Sequence, residues 1–162
     1  MEQDLTPKNT ISGNEAPGEE IHPADYLDTL FPHENRNYEQ YGPGALAFLG
    51  DAVFTLVIRL LIVRKHDRQA YKLHNEASHL VRAGTQSRMI RALEPHLSEE
   101  EAAVCRRGRN SDPKNTAKNA TRDEYLDATG FETLIGYLYL NGRKERMLDL
   151  IAMGLKETEN EI

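Results

Sequence analysis

With 162 residues, 39% of them hydrophobic and no tryptophan, the chain is sized for one domain with a modest core. Its single cysteine, Cys105, excludes an internal disulfide framework and fits a reducing compartment. The net charge of −6 does not exclude a nucleic-acid partner: residues 1–40 hold nine acids against two bases, whereas residues 41–142 hold 14 bases against 12 acids.

Residues 1–20 are polar, acidic and rich in Pro, Gly, Asn and Glu. They read as a disordered acidic extension with no signal-peptide pattern, and residues 21–162 read as the folded domain. "HPADYLDTLFP" (22–32) predicts a short helix opened by Pro23 and closed by Pro32. The loop "NRNYEQYGPG" leads into a long apolar helix over about Pro43–Lys65. Apolar residues at helical spacing from Tyr71 to Leu93 predict one helix over about Gln69–Leu93. Ser98 with Glu101 three residues on is a capping box opening a helix near 99–107. Residues 107–125 lack periodicity and read as a loop. A helix over about 122–140 ends at Gly142, and a last one covers about 144–157. With no credible strand and no repeat, the fold class is all-α.

The long helix poses the functional question. Between Ala45 and Val63 only Gly50, Asp51, Thr55 and Arg59 are not apolar. Glycine inside a helix costs about 1 kcal/mol against alanine, and a buried unpaired carboxylate costs more. Asp51 and Arg59 argue against a membrane span. A helix apolar all round is a buried one, and in so small a domain that calls for a second chain. Leu46, Leu49, Val53, Leu56 and Leu60 can form one face; Phe54, Ile58, Leu61 and Ile62 crowd the other. One is expected to be core and the other a homodimer surface.

"TGFETLIGYLYL" (129–140) repeats the oddity, with Glu132 among apolar residues and Gly136 nearby. Two embedded acids brought together repel unless a cation or a proton sits between them. Mg²⁺ suits such a place, because one or two carboxylates with water and substrate phosphate complete its octahedron. The alternatives are an ion pair of Asp51 with Arg59 or Arg82, and a partly wet helix edge for Glu132. "RRGRNSDPKNTAKNATR" (106–122) carries six Arg or Lys and one acid. That composition suits phosphate contact and equally suits a solvated surface loop. Arg106, Arg107, Arg109, Lys114, Asn115 and Lys118 are its candidate RNA-binding residues. The six histidines show no metal-ligand spacing, and there is no glycine-rich nucleotide loop or serine nucleophile elbow.

"FLGDAV" (48–53) resembles the signature helix of the ribonuclease III family, and "FETLIGYLYL" (131–140) resembles its second acidic helix. Together with "LHNEASHLVRAGTQSRMI" (73–90) and "RRGRN" followed by "PKN" (106–115), the chain is similar to the Mini-ribonuclease III branch over about Asp25–Leu150. That branch is a lone catalytic domain without a double-stranded-RNA-binding domain. The resemblance implies an all-helical ribonuclease III homodimer in which Gly50 packs where two signature helices meet. It implies a cytoplasmic endoribonuclease that uses Mg²⁺, held by Asp51 and Glu132 as catalytic and metal-binding residues, to cut double-stranded RNA and leave 5′-phosphates. The implied substrate is the large-subunit (23S) ribosomal RNA precursor, with ribosomal proteins or the pre-ribosome as further partners. Two of the broad family's four acidic positions are Ala47 and Thr129 here, which the mini branch leads one to expect. The same two residues favour the rival reading, a catalytically silent domain that binds structured RNA or ribosome-assembly partners. A helical DNA-binding module is a weaker rival, since no helix presents a basic amino-terminal face.

Overall fold

The structure, a computed structural model, describes residues 21–32, 37, 40–111 and 119–158. All regular structure among them is helical, as expected. The chain divides into two units, residues 1–33 and 34–162. The described part of the first holds α1 (Pro23–Leu30), opened by Pro23 and by His22, whose Nδ1 accepts the Ala24 N–H at 3.1 Å.

The second unit holds α2 (Pro43–Lys65), α3 (Ala70–Val81), α4 (Ala83–Leu93), a 3₁₀ turn (Glu94–His96), α5 (Glu99–Arg109), α6 (Arg122–Leu140) and α7 (Lys144–Glu157). The core gathers on α6, which packs most extensively against α2 and then against α5 and α4. Its Phe131 meets Phe54 of α2 edge to face, with ring centroids 5.0 Å apart. Both caps that open the helices beside the basic segment are reciprocal boxes. Ser98 with Glu101 opens α5 as expected, and Thr121 with Glu124 opens α6. Gly142, at φ 69°, ends α6.

Gly50 answers half of the question posed by α2. A methyl group there would overlap the backbone carbonyl of Glu132, and one at Gly136 would overlap the carbonyl of Leu46. The two glycines let α2 and α6 touch backbone to backbone. Gly50 therefore serves packing inside one chain, where the resemblance implied a meeting of two signature helices. Overpacking a backbone contact cannot be relieved by a rotamer change. Gly50→Ala is expected to cost about 3 kcal/mol, read as a lowered urea midpoint with an unchanged slope.

Two other expectations are corrected. The faces of α2 divide differently: Leu46, Val53, Phe54, Ile58 and Ile62 are buried together, while Leu56, Leu60 and Leu61 are exposed. At 100° per residue, Phe48, Ala52, Leu56, Arg59, Leu60 and Val63 share one exposed side. The predicted helix over 69–93 is two helices, because Arg82 is extended at φ −67°, ψ 153°. Side chains serve the carbonyls that the break frees. Thr85 Oγ1 donates to the His79 carbonyl at 3.0 Å, and Gln86 Nε2 to the Val81 carbonyl at 3.1 Å.

Two ionic clusters lock the helices around α6. Ser87 Oγ and Arg91 Nε of α4 donate to the buried Asp127 at 2.8 and 2.7 Å, and Arg109 of α5 pairs with the same carboxylate. Arg146 of α7 grips the fully buried Glu101 of α5 through two donors, at 2.8 and 2.9 Å, and Arg143 supports it at 3.4 Å.

Candidate active site

Asp51 of α2 and Glu132 of α6 line one open concavity of about 420 Å³, together with Ala47, Phe48, Ser111, Tyr125 and Thr129. The Gly50–Gly136 contact creates this arrangement, because only backbones in contact put the next residue of α2 and the facing residue of α6 at one mouth. Asp51 itself is exposed and Glu132 is half-buried. The carboxylate that looked entombed in the sequence therefore sits at the rim, and its α6 counterpart carries the burial.

The electrostatics follow. Burial, then the negative charge of Asp51, push the Glu132 carboxyl up from its usual range to about 8. Two acids facing one concavity thus need either a proton on Glu132 or a cation between them to offset their charge. The Asp51 pairings with Arg59 or Arg82 are not among the ion pairs of the described residues. Arg82 Nε instead donates to Thr85 Oγ1 at 3.4 Å.

The donor set is small and hard. Among the described residues no group of three or more His, Cys, Asp or Glu side chains converges. Ala47 presents a methyl group, and the Thr129 hydroxyl donates to the Tyr125 carbonyl at 2.9 Å. Two carboxylates in a concavity with room for water and phosphate fit Mg²⁺, which keeps several waters, better than Zn²⁺ or Ca²⁺. The only cysteine lies in a different concavity, of about 380 Å³, with Arg106, Arg109 and Asp127. Burial pushes the Cys105 thiol up to about 12, which removes it as a nucleophile near neutral pH.

Of the basic candidates, Arg106, Arg107 and Arg109 lie in the last turn of α5, and Lys114, Asn115 and Lys118 lie outside the described residues. Arg107 and Arg109 already have partners in the chain. Arg107 Nη2 donates to the Tyr41 carbonyl at 3.1 Å, while Arg109 pairs with Asp127 and lies 3.7 Å from Asp123. Arg109 thus anchors the start of the basic segment. Ser111 at that start, and Tyr125 one helical turn before Thr129, bring hydroxyl-bearing side chains to the mouth shared by the two acids. Sequence reasoning singled out neither, because neither breaks a hydrophobic pattern.

Residues 44–143 match the Ribonuclease III domain. The Mini-ribonuclease 3 of Clostridium tetani is 42% identical over 119 residues, which cover 73% of this chain and 79% of that protein. The Mini-ribonuclease 3 of Brevibacillus brevis is 40% identical, over 74% of this chain and 89% of its own length. Among solved structures, protein FN1578 from Fusobacterium nucleatum superposes with a TM-score of 0.69 at 29% identity, over 75% of this chain and 98% of that one.

Proposed function

Because the chain belongs to the ribonuclease III family, in its Mini-ribonuclease III branch, and is on that footing an endoribonuclease of double-stranded RNA, we propose that Asp51 and Glu132 hold the Mg²⁺ with which it cuts. One observation carries this reading: two carboxylates from neighbouring helices share one solvent-open concavity, and the charge of Asp51 raises the cost of ionising Glu132. The bound cation supplies Lewis acidity at the scissile phosphate and an activated water. Asp51 would hold it from the rim, and Glu132 from the half-buried side as an ionised carboxylate. Ala47 and Thr129 leave space for water and the phosphate where larger side chains would intrude. Hydrolysis forms a bond from a water oxygen to phosphorus as the bond to the 3′ oxygen breaks, and the 3′ oxygen takes up a proton, leaving a 5′-phosphate and a 3′-hydroxyl.

The remaining parts of the reading follow from the resemblance and from α2. The substrate is the precursor of the large-subunit ribosomal RNA, in the cytoplasm, with ribosomal proteins or the pre-ribosome as further partners. The exposed apolar side of α2 pairs with its twofold copy. A twofold axis gives two sites on one surface, matching the antiparallel strands of a duplex. A mixed dimer of wild-type and Asp51→Asn protomers is then expected to nick one strand. Efficient double-strand cutting by a verified, non-exchanging mixed dimer would rule out one site per strand.

Affinity is assigned to the dimer surface and to Arg106, Lys114 and Lys118, with Asn115 helping to choose the cleavage position. Each lysine or arginine that meets a phosphate releases about one counterion. Triple replacement by Ala is expected to flatten the slope of log affinity against log salt by about three for each protomer on the duplex. An unchanged slope would reduce the segment to solvated surface.

The rival reading, a silent RNA-binding domain, draws on Ala47 and Thr129. Duplex RNA incubated with the pure protein separates the two. Cleavage that starts with Mg²⁺ and stops with EDTA supports the enzyme. Binding with no product at any Mg²⁺ concentration supports the silent domain.

A further inference from the structure

Among the described residues, three hydroxyl-bearing side chains line the concavity that holds Asp51 and Glu132: Ser111, Tyr125 and Thr129. Two of them are committed to the fold. Ser111 Oγ donates to the Gly108 carbonyl at 2.6 Å, and Thr129 Oγ1 donates to the Tyr125 carbonyl at 2.9 Å. The Tyr125 hydroxyl makes no hydrogen bond among the described residues. Its ring is half-buried and is not among the side chains packed on the hydrophobic core. Its backbone is fixed all the same. The Thr121–Glu124 capping box closes the turn before it, and the Tyr125 N–H donates to the Thr121 carbonyl at 3.0 Å. Tyr137 of the same helix shows the structural use of a tyrosine here: it is buried, and its hydroxyl donates to Glu100 Oε1 at 2.7 Å. Tyr125, Thr129 and Glu132 recur at i, i+4 and i+7 on one side of α6. The phenol therefore stands roughly 10 Å along the helix axis from the level of Glu132, beside a cut made there rather than on it.

We propose that Tyr125 is a specificity-determining residue: its hydroxyl hydrogen-bonds a ribose 2′-hydroxyl of the duplex next to the scissile bond. This rests on reading Asp51 and Glu132 as the site that cuts. The 2′-hydroxyl is the group that separates RNA from DNA, and an A-form duplex displays it in a wide, shallow minor groove that an open concavity can meet. It both donates and accepts, as a phenol does. Phosphates have other counterparts, in the cation held by the two acids and in basic residues such as Arg106. A neutral hydroxyl adds no further charge beside two carboxylates.

The test uses the full chain and a duplex RNA whose cut position has been mapped. Tyr125→Phe keeps the ring and removes the hydroxyl. It is expected to lower kcat/KM about 3- to 10-fold, with a thermal midpoint within a few degrees of wild type. The substrate then carries a single 2′-deoxynucleotide at each position flanking the cut in turn. At one position the deoxy substrate should cost the wild type the same loss and cost Tyr125→Phe nothing further. A merely structural role would not produce that non-additivity. Full activity of Tyr125→Phe on unmodified duplex, or losses that add at every position, would overturn the inference and leave the cation site standing. Wild-type cleavage by Asp51→Asn would instead remove the site reading, and this inference with it. Should Tyr125→Phe not fold, the deoxy scan of the wild type decides. One sensitive position beside the cut is expected, and none would overturn the proposal.

Discussion

Asp51→Asn and Glu132→Gln are each expected to slow duplex-RNA cleavage at least about a thousandfold, or ~4 kcal/mol of barrier, while leaving the far-ultraviolet circular dichroism unchanged. Both substitutions keep the shape of the side chain and remove the charge that holds the cation. Glu132 adds a pH signature. Its carboxyl is pushed up to about 8, first by burial and then by Asp51. Between the ordinary carboxylate value and about 8, the native metal-free protein therefore binds a proton that the unfolded chain has lost. Stability of the metal-free protein falls as pH rises through that window, and Glu132→Gln should abolish the fall, as urea titrations in EDTA at pH 6 and pH 9 would register. The same proton must leave when Mg²⁺ enters, so apparent Mg²⁺ affinity should rise by up to about tenfold per pH unit and level off above about 8. Calorimetry in buffers of different ionisation enthalpy reads the released proton directly. Wild-type cleavage by both variants would remove these two residues from the site.

The second large effect is structural. Arg146→Met is expected to destabilise the protein by about 3–5 kcal/mol, because it strands the fully buried Glu101 as an uncompensated charge. The Arg146 guanidinium, hydrogen-bonded to it through two donors, holds the Glu101 carboxyl down to about 2, with help from the Ser98 backbone and Arg143. A carboxyl whose folded value is lowered stabilises the native state above its ordinary value and ceases to do so as pH falls toward 2. Wild type should thus lose stability between about pH 4.5 and pH 2, and Arg146→Met should show a flatter acid limb from a lower starting point. Urea midpoints at pH 7, 4 and 2.5 give both quantities. Equal midpoints at pH 7 would mean that α5 and α7 are held by packing alone.

These two residues mark the limits of what the sequence shows. Glu101 was legible only as a helix cap, since Ser98 and Glu101 are three residues apart and the capping signal is local. Its arginine partners lie more than 40 positions away, and no spacing rule reaches them. Asp51 and Glu132 were legible for the opposite reason, since each interrupts a helix that is otherwise apolar. Their exposure was not. Gly50 and Gly136 pull α2 and α6 into backbone contact and so turn Asp51 outward to a rim, and that geometry exists only once the helices are packed. The break at Arg82 escaped because apolar periodicity runs across it from Leu80 to Met89. What sets it is a pair of side-chain hydrogen bonds to freed carbonyls, from residues that read as ordinary helix. The exposed side of α2 was misassigned for a simpler reason: in a helix apolar all round, hydrophobicity does not say which side faces inward.

The claim that joins fold to chemistry is that the Asp51–Glu132 concavity binds a divalent cation and uses it to cut duplex RNA. The most direct measurement follows pure protein with labelled duplex RNA, duplex DNA and single-stranded RNA of one sequence, each with Mg²⁺ and with EDTA. Duplex RNA alone should be cut, in Mg²⁺ alone, into products bearing 5′-phosphates, and Asp51→Asn should give none. Duplex RNA that stays intact while bound, or cleavage that persists in EDTA, would contradict the account.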